Sequence, residues 1–523
     1  MDMERYQEAY ACWKQGAFAK ARDILQVSWQ ETGERSIYGM LLLSYILRSE
    51  RKPVSEVQQL QELLTSFDGA PERNLLADAW SLLGAALRDL GEARMAVDAL
   101  LQSVELEPDP LQRLVECSNA IFVANHVEDA SAEFFERLYA RYRELLAGLH
   151  PVAYPAPTWH HEKLRIGYVS ADLRRHAVAQ FAWPLLRGYD HAAFEVYVYS
   201  LAKQEDHVTA ALRDPAAHWR RVAGMPYAEL AAQIRADEID VLVDLAGHSE
   251  NNALPVFAWH PARVQISGIG YFNSTGLDVC DGFLSDVYCA PEVRSPYFTE
   301  PLLPLPQTHF CYAPFTRFPA VTPPPCLSRG YVTFGCFNNF SKVTDKILGL
   351  WRQILAAVPS AHLLLKHSLL GIEEGRAYTM KRLRRLEFSD DELSRIELRG
   401  SSDVYLPEYG DMDIALDTSP YPGGLTTCEA LMMGVPVVSL VGVRHGARFG
   451  LSFLSNIGFG ELAADTEERY VALAVGLAQD AQALVALRRV LRPRLQQSPL
   501  MDGASYMRAV ESLYQKLVRE KSR

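Results

Sequence analysis

The sequence has little of what disulfide-bonded, membrane-spanning or nucleic-acid-binding proteins require. Its eight cysteines are scattered through 523 residues without a CxxC pair, which favours a reduced, cytoplasmic protein and argues against a zinc site. The nearest approach to a membrane span, ALMMGVPVVSLVGV, is short and is broken by Gly434 and Pro436. The N-terminal stretch MDMERYQEAYACWKQG contains no apolar segment of the kind that secretory signals need. The net charge of −12 predicts that neither nucleic acid nor an anionic membrane is a partner, because binding to phosphates needs clustered cations.

The first part of the chain contains helical repeats. The segment DAWSLLGAALRDLGEARMAVDALLQSVELEPD follows the tetratricopeptide pattern, in which small residues let two helices cross closely. Residues 36–66 are predicted to add another helical pair. Because such repeats need stacked neighbours, we expect residues 1–110 to pack on the next part of the chain, with 111–158 as a helical bridge. The matching positions are Trp80, Leu83, Gly84, Leu87, Gly91, Ala96, Leu100 and Pro108, with a looser copy at Ala9, Gly16, Ala21 and Leu25.

Beyond the boundary YPAPTW, short apolar runs alternate with amphipathic segments, which is typical of parallel doubly wound sheets. A Pro-rich linker at 313–330 divides this part into two halves, 159–312 and 331–523. The predicted fold is therefore an α/β GT-B architecture, two Rossmann-like domains around a cleft, preceded by an all-α tetratricopeptide-repeat region. The predicted strands are 163–171, 194–202, 239–247, 264–271 and 281–286 in the first half, and 332–337, 362–367, 395–400, 412–417 and 436–440 in the second.

The stretch LDTSPYPGGLTTCEA places a glycine-rich loop between a buried strand and a helix. Such a loop presents free backbone N–H groups at the carboxyl edge of a sheet, where an anion binds well. Thr426 or Thr427 can cap the helix or donate a hydroxyl to a phosphate. Glu429, one turn later, is placed to accept hydrogen bonds from ribose hydroxyls. The simpler alternative is an ordinary strand–turn–helix connection with N-capping.

Other polar residues follow strands that end at the same cleft. Asp172 and His176 follow the strand 163–171, and His176 is suited to proton transfer or to phosphate binding. Lys342, in CFNNFSKVTDK, can neutralise a diphosphate as a point charge. His248 follows another first-half strand. The alternative in each case is a solvated surface residue or a helix cap, and the DMD at 411–413 is interpreted as a chance match to a metal-binding motif.

Several of these motifs together resemble the O-linked N-acetylglucosamine transferase/SPINDLY family. They are LRIGYVSADLRRH, DLAGH with HPARVQISGIGY, FNNFSK, LDTSPYPGGLTTCEALMMGVPVVSL and RHGARFG, and the similarity runs from about residue 118 to about 518. The resemblance implies a metal-independent, inverting transfer of a sugar from a nucleotide diphosphate, usually UDP-GlcNAc, to Ser or Thr of a protein. It implies no cofactor and no metal.

The resemblance also implies roles for individual residues. It makes His176, Asp172 and Lys342 catalytic, and it assigns the donor to loops of both halves. Two departures stand out, because Tyr405 occupies a position where many relatives have histidine and Gly424 begins a Gly-Leu-Thr where animal enzymes have His-Thr-Thr. The implied donor-binding residues are Gly424, Thr426, Thr427, Glu429, Asn339, Gly270, Tyr271 and Tyr405, and His126 and His248 are further cleft residues.

The predicted function is protein O-glycosylation in the cytoplasm, most simply with GlcNAc as the sugar. The helical repeats are expected to hold the protein or peptide acceptor, and the resemblance extends the acceptors to flagellin or another bacterial surface protein. One alternative is a transferase of the same fold with another donor, UDP-glucose or GDP-fucose. Others are a small-molecule glycosyltransferase, a sugar-nucleotide epimerase and a tetratricopeptide adaptor whose transferase half has decayed.

Overall fold

The structure, a computed structural model, describes residues 3–67, 69 and 72–522. Its parts follow one another along the chain as a helical array, a first lobe and a second lobe, and each lobe is built on a parallel sheet. The GT-B fold with a preceding helical repeat region, predicted from the sequence, is confirmed.

The helical array contains eight helices in the described residues, and consecutive helices pack against each other. Helices α5 and α6 cross closely because Gly84 has no side chain: a Cβ there would lie 2.6 Å from Cγ of Leu100. Gly91, with φ of +83°, makes the turn between them. The helices are α1 (Met3–Lys14), α2 (Phe18–Thr32), α3 (Ile37–Ser49), α4 (Pro53–Ser66), α5 (Arg73–Asp89), α6 (Ala93–Leu106), α7 (Pro110–Ala124) and α8 (Ala132–Ala147).

The first lobe has a seven-stranded parallel sheet in the order β3-β2-β1-β4-β5-β6-β7 within the described chain. Strands β4 and β5 are buried along their length, and β1 is buried from Ile166 onwards, as expected for a parallel sheet covered on both faces. The strands are β1 (Leu164–Ser170), β2 (Phe194–Ser200), β3 (His218–Arg221), β4 (Val241–Asp244), β5 (Val264–Ser267), β6 (Gly282–Asp286) and β7 (Leu302–Leu305), with helices α9 (Ala177–Arg187), α10 (His207–Leu212) and α11 (Tyr227–Ala236).

The second lobe has a six-stranded parallel sheet, also counted over the described residues, in the order β10-β9-β8-β11-β12-β13. The strands are β8 (Thr333–Cys336), β9 (His362–Lys366), β10 (Ile396–Arg399), β11 (Ile414–Leu416), β12 (Val437–Leu440) and β13 (Ala463–Ala464). The helices are α12 (Cys326–Arg329), α13 (Asp345–Ala357), α14 (Glu373–Arg385), α15 (Asp390–Ser394), α16 (Leu425–Met432), α17 (Phe449–Asn456), α18 (Glu467–Ala478) and α19 (Ala481–Gln496).

The last helix, α20 (Gly503–Lys521), returns to the first lobe and packs against α9 and β5. The hydroxyls of Tyr514 and Tyr168 lie 3.4 Å apart, and Glu511 accepts a hydrogen bond of 2.7 Å from the backbone N–H of Asp190. The sequence-based division grouped this helix with the second half, whereas these contacts belong to the first lobe.

The helical array touches both lobes. Arg143 donates a hydrogen bond of 2.8 Å to the carbonyl of Gly276 in the first lobe. Ser55 donates one of 2.6 Å to Glu374 in the second lobe, and Leu90 packs into that lobe's apolar core. The array therefore bridges the two lobes.

In the described part of the chain, no single helix is both long enough and apolar enough to cross a bilayer. The helices Glu467–Ala478 and Ala481–Gln496 reach that length and composition only as a pair, and they are bent by 97°.

Candidate active site

The glycine-rich loop between β11 and α16 is organised by the buried carboxylate of Asp417. This carboxylate accepts hydrogen bonds from the backbone N–H groups of Thr418 (2.9 Å) and Gly423 (2.7 Å) and from the hydroxyl of Ser439 (2.8 Å). These bonds fold the loop back over the end of the strand. The start of helix α16 is thereby fixed at the carboxyl edge of the sheet.

The two threonines at the start of α16 do not cap the helix. Thr426 donates its hydroxyl to the side-chain carbonyl of Asn338 at 2.5 Å, and Thr427 donates to the carbonyl of Gly423 at 3.1 Å. The N-cap position, Gly424, has no side chain that could accept a bond from the first turn. The capping alternative considered from the sequence is therefore wrong. The helix start keeps its partial positive charge available for an anion.

Lys342 reaches the same loop from the other side. It ends a short 3₁₀ turn (Phe340–Lys342), and its Nζ donates a hydrogen bond of 3.0 Å to the carbonyl of Pro422. The ammonium also lies 3.6 Å from the ring centroid of Tyr421. Burial lowers the pKa of Lys342 to about 8, although the carboxylate of Asp417 opposes the shift. Lys342 and Thr426 therefore meet at the same glycine-rich loop.

Asn338 and Asn339, which precede the turn that carries Lys342, make different hydrogen bonds. The side chain of Asn339, which is exposed, accepts a bond of 3.2 Å from the N–H of Ser341 and so shapes the turn that carries Lys342. Asn338 is buried and connects Asp417, Thr418 and Thr426. The sequence reasoning missed Asn338, and the adjacent Asn in the FNNFSK motif was the available signal.

Glu429 is buried behind the helix start and is held by two tyrosines. The hydroxyls of Tyr405 and Tyr409 both donate to its carboxylate, Tyr409 at 3.2 Å. Burial raises the pKa of Glu429 to about 7, and the two hydroxyls oppose the shift. Tyr405 thus contacts the predicted ribose-binding residue directly. Tyr409 was not predicted.

In the first lobe, Asp172 and His176 lie at the carboxyl end of β1. Nδ1 of His176 accepts a bond of 3.3 Å from the N–H of Val178, and it lies 3.7 Å from the Asp172 carboxylate. Burial lowers the pKa of His176, and Asp172 opposes the shift. Because Nδ1 accepts the bond from Val178, Nε2 carries the proton of the neutral ring, and Nε2 makes no hydrogen bond within the described residues.

The segment after β1 that carries Asp172 and His176 lies close to the second lobe. Burial and the Glu429 carboxylate raise the pKa of Tyr405, whereas the guanidinium of Arg175 is near enough to oppose the shift. Because Arg175 precedes His176, the segment that carries the predicted base lies near the Tyr405–Glu429 pair of the second lobe.

The helical array supplies a third wall. The ring of His126 lies 5.1 Å from that of Tyr421, and its Nε2 lies 3.5 Å from the hydroxyl of Ser341. Burial and the charge of Lys342 lower the pKa of His126 to about 3, so the ring is neutral. Asn125 donates a bond of 2.9 Å to the hydroxyl of Tyr271.

The remaining predicted residues lie at and behind this wall. Gly270 allows a close backbone approach, since a Cβ would lie 1.8 Å from the carbonyl oxygen of Leu245. Tyr271 is buried next to it. His248 lies behind Tyr271 and bonds to Ser118 at 2.8 Å and to the carbonyl of Thr275 at 2.9 Å. Its two ring nitrogens are thus engaged within the protein, and a role for His248 in the cleft stays a prediction.

Two parallel-sheet lobes, whose loops converge on a lysine and a glycine-rich helix start, define the GT-B class of proteins. The chain belongs to glycosyl transferase family 41, whose model matches residues 144–322 and 326–510. The family resemblance inferred from the sequence is confirmed.

Two plant relatives carry the name probable UDP-N-acetylglucosamine–peptide N-acetylglucosaminyltransferase SPINDLY. The chain is 34% identical to the one from Oryza sativa over 81% of this chain and 46% of the relative. It is 37% identical to the one from Arabidopsis thaliana over 68% of this chain and 39% of the relative. The chain thus spans less than half the length of these curated relatives.

A solved structure matches nearly the whole chain. It is a lysine-to-methionine mutant of the Thermobaculum terrenum O-GlcNAc transferase, 29% identical, with a TM-score of 0.85 over 99% of this chain and 97% of that one. The match includes the helical array as well as both lobes.

Proposed function

We propose that the protein is an inverting, metal-independent protein O-glycosyltransferase that moves GlcNAc from UDP-GlcNAc to Ser or Thr of a protein. The observation that carries this proposal is the junction of Lys342 and Thr426 at one glycine-rich loop. Family membership and the names of the relatives support it.

Charge stabilisation on the leaving diphosphate is the main catalytic effect in this proposal. An acceptor hydroxyl attacks the anomeric carbon in line, the bond to the diphosphate breaks, and negative charge grows on the phosphate oxygens. Lys342 and the backbone N–H groups at the start of α16 are the groups proposed to stabilise that charge, and their meeting at one loop supports the assignment. Each such donor is worth about 10²–10³ in rate.

Proton removal from the acceptor is assigned to His176. Burial lowers the pKa of His176, so the ring is neutral at physiological pH. It acts as a base at Nε2 in the tautomer in which Nδ1 carries the proton and faces the carboxylate of Asp172, which then stabilises the imidazolium. Glu429 accepts hydrogen bonds from ribose in exchange for those from Tyr405 and Tyr409.

The metal-independent route fits the contacts of the one DxD match. Asp413 accepts hydrogen bonds from the N–H groups of Thr333 (2.8 Å) and Cys326 (3.0 Å). Asp411 pairs with Arg329 at 2.8 Å and with Arg399 at 2.7 Å. Both carboxylates are thus committed to structural contacts away from the loop that carries Thr426.

The acceptor is expected to be a protein segment held along the helical array, in a cytoplasmic enzyme. Flagellin or another bacterial surface protein remains the proposed acceptor class. A thermal-shift panel of UDP-GlcNAc, UDP-glucose, GDP-fucose and GDP identifies the donor, because stabilisation grows with ligand concentration over Kd.

The deciding experiment is mass spectrometry of peptide and protein pools after incubation with the preferred donor and EDTA. We expect an increment of one N-acetylhexosamine on Ser or Thr. Binding of UDP-GlcNAc without any transfer would favour the decayed adaptor, and hydrolysis or epimerisation of the donor alone would favour a small-molecule enzyme. The single variants Lys342→Met and His176→Ala serve as inactive controls.

A further inference from the structure

Three soft or borderline ligands meet in a buried cluster where the two lobes touch. Cys289 and His309 belong to the first lobe, and His445 follows β12 of the second lobe. One ligand atom of each, the sulfur or a ring nitrogen, lies within 4.8 Å of the others. All three side chains are buried. This set, Cys289, His309 and His445, is called the interlobe cluster below.

The two histidines are oriented as metal-binding histidines are. Nδ1 of His445 lies 3.1 Å from the carbonyl oxygen of Phe272, which can only accept, so Nδ1 carries the proton. Nδ1 of His309 lies 2.6 Å from the carboxylate of Asp286. Such a carboxylate or carbonyl behind a histidine fixes the tautomer and leaves Nε2 with its lone pair.

The carboxylate of Asp286 is itself fixed as an acceptor. It accepts bonds from the N–H groups of Tyr288 and Cys289, both at 2.9 Å, and from the hydroxyl of Ser452 at 2.8 Å. These contacts need an ionised carboxylate. A divalent cation together with this carboxylate and a thiolate of Cys289 makes the buried group neutral, which removes the cost of an isolated charge.

We infer that the interlobe cluster is a structural binding site for Zn²⁺, with Cys289 Sγ, His309 Nε2 and His445 Nε2 as protein ligands. The fourth position falls to water or to Ser285, whose hydroxyl lies 2.8 Å from Nε2 of His445. On binding, the S–H bond of Cys289 breaks, its proton passes to solvent and the thiolate coordinates the ion.

The geometry needs only side-chain adjustment. Zn–S and Zn–N bonds of about 2.3 and 2.0–2.1 Å place the ligands of a tetrahedral site roughly 3.3–3.6 Å apart. Since the sulfur and one nitrogen of each ring already lie within 4.8 Å of one another, rotation of the side chains and contraction by up to about 1.5 Å complete the site. Thiolate and imidazole ligands favour Zn²⁺ over Mg²⁺ or Ca²⁺.

The proposed ion joins the lobes next to the candidate active site and takes no part in the transfer step. Phe272, whose carbonyl accepts from His445, packs its ring 3.9 Å from that of Tyr421, and Tyr421 underlies Lys342. The ion therefore restrains the wall of the donor crevice. The sequence argued against a zinc site because its cysteines are scattered without a CxxC pair, and the three ligands of the interlobe cluster lie on separate segments.

The test uses the full chain without a histidine tag, stripped of metal, incubated with Zn²⁺ or Co²⁺ and then gel-filtered. We expect about one ion per chain, a rise in Tm with Zn²⁺, and with Co²⁺ the thiolate-to-metal charge-transfer absorption. Cys289→Ser and His445→Gln should each lose the retained ion and the rise in Tm, and Cys289→Ser should also lose the absorption.

Cys311→Ser is the matched control, because Cys311 is also buried in the first lobe and lies outside the interlobe cluster. It should retain the ion like the unmodified protein. Circular dichroism of the metal-free variants separates loss of a ligand from loss of the fold. The inference is overturned if the unmodified protein retains no ion, or if folded Cys289→Ser and His445→Gln retain it as Cys311→Ser does. Neither result bears on whether the protein transfers a sugar.

Discussion

Replacement of Lys342 by methionine tests how much the positive charge of the ammonium contributes to catalysis. Methionine keeps an apolar stem against Tyr421 and removes the ammonium that donates to Pro422. The loss of one transition-state donor should lower kcat about 10²–10³-fold, or roughly 2.7–4 kcal/mol. The measurement is kcat for transfer to an acceptor peptide.

The same variant should fold normally. Burial lowers the pKa of Lys342 from 10.5 to about 8, so at neutral pH the buried ammonium lowers the free energy of unfolding by on the order of 3 kcal/mol. The hydrogen bond to Pro422 offsets only about 1 kcal/mol of this. The Tm of Lys342→Met should therefore equal or exceed that of the unmodified protein. Lys346→Ala, a half-exposed lysine paired with Glu467, is the control with normal activity.

The pH profile gives an independent check. The charged form of Lys342 is the active one, so kcat/KM should fall as the pH rises through about 8, the pKa of the free protein. The bound diphosphate raises that pKa, so the alkaline limb of kcat should lie at higher pH. A kcat near normal in folded Lys342→Met, or no alkaline limb, would refute the assignment.

Three further predictions concern other parts of the molecule. His176→Ala should lower kcat by about 10²–10⁴ with little change in donor affinity by calorimetry, and an unchanged kcat would remove it from the mechanism. Tyr405→Phe removes a hydrogen bond that lowers the pKa of Glu429, so that pKa should rise above about 7. Because the ionised carboxylate is the form that accepts hydrogen bonds from ribose, the increase in donor affinity that accompanies its ionisation should move to higher pH. Calorimetry across neutral pH checks this, and an unshifted profile contradicts it. Gly84→Ala should destabilise the chain by about 1–3 kcal/mol because its Cβ meets Leu100, whereas Gly349→Ala, which meets nothing within 4 Å, should stabilise it by up to about 1 kcal/mol. Chemical unfolding compares the pair, and equal effects would rule out the steric explanation.

The sequence predicts the main sheet strands because buried parallel strands are continuous apolar runs. It misses β3, whose residues His218–Arg221 include charged side chains and lie at the sheet edge. It also misses β7, a four-residue edge strand that contains Pro304, and β13, which has only two residues. Burial on both faces, which makes the central strands recognisable, is absent at β3, whereas β13 is buried but is too short to form an apolar run.

The site is predictable to the extent that loops after parallel strands converge on one edge. That rule brings Lys342 and Thr426 together. It gives no information on which side chains bond to each other, and so the pairing of Glu429 with Tyr405 and Tyr409 needs the packed structure. The same is true of Asn338 and Asn339, because the side chains of adjacent residues in a turn point in different directions.

The return of α20 to the first lobe has a consequence for biosynthesis. Tyr506, Met507, Val510 and Tyr514 on this helix are buried in the same apolar core as β1 residues near Tyr168. During translation β1 leaves the ribosome long before its covering helix exists. The apolar surface that α20 covers therefore stays exposed until the second lobe has been synthesised. During this interval the nascent chain is most prone to aggregation and is most in need of chaperones.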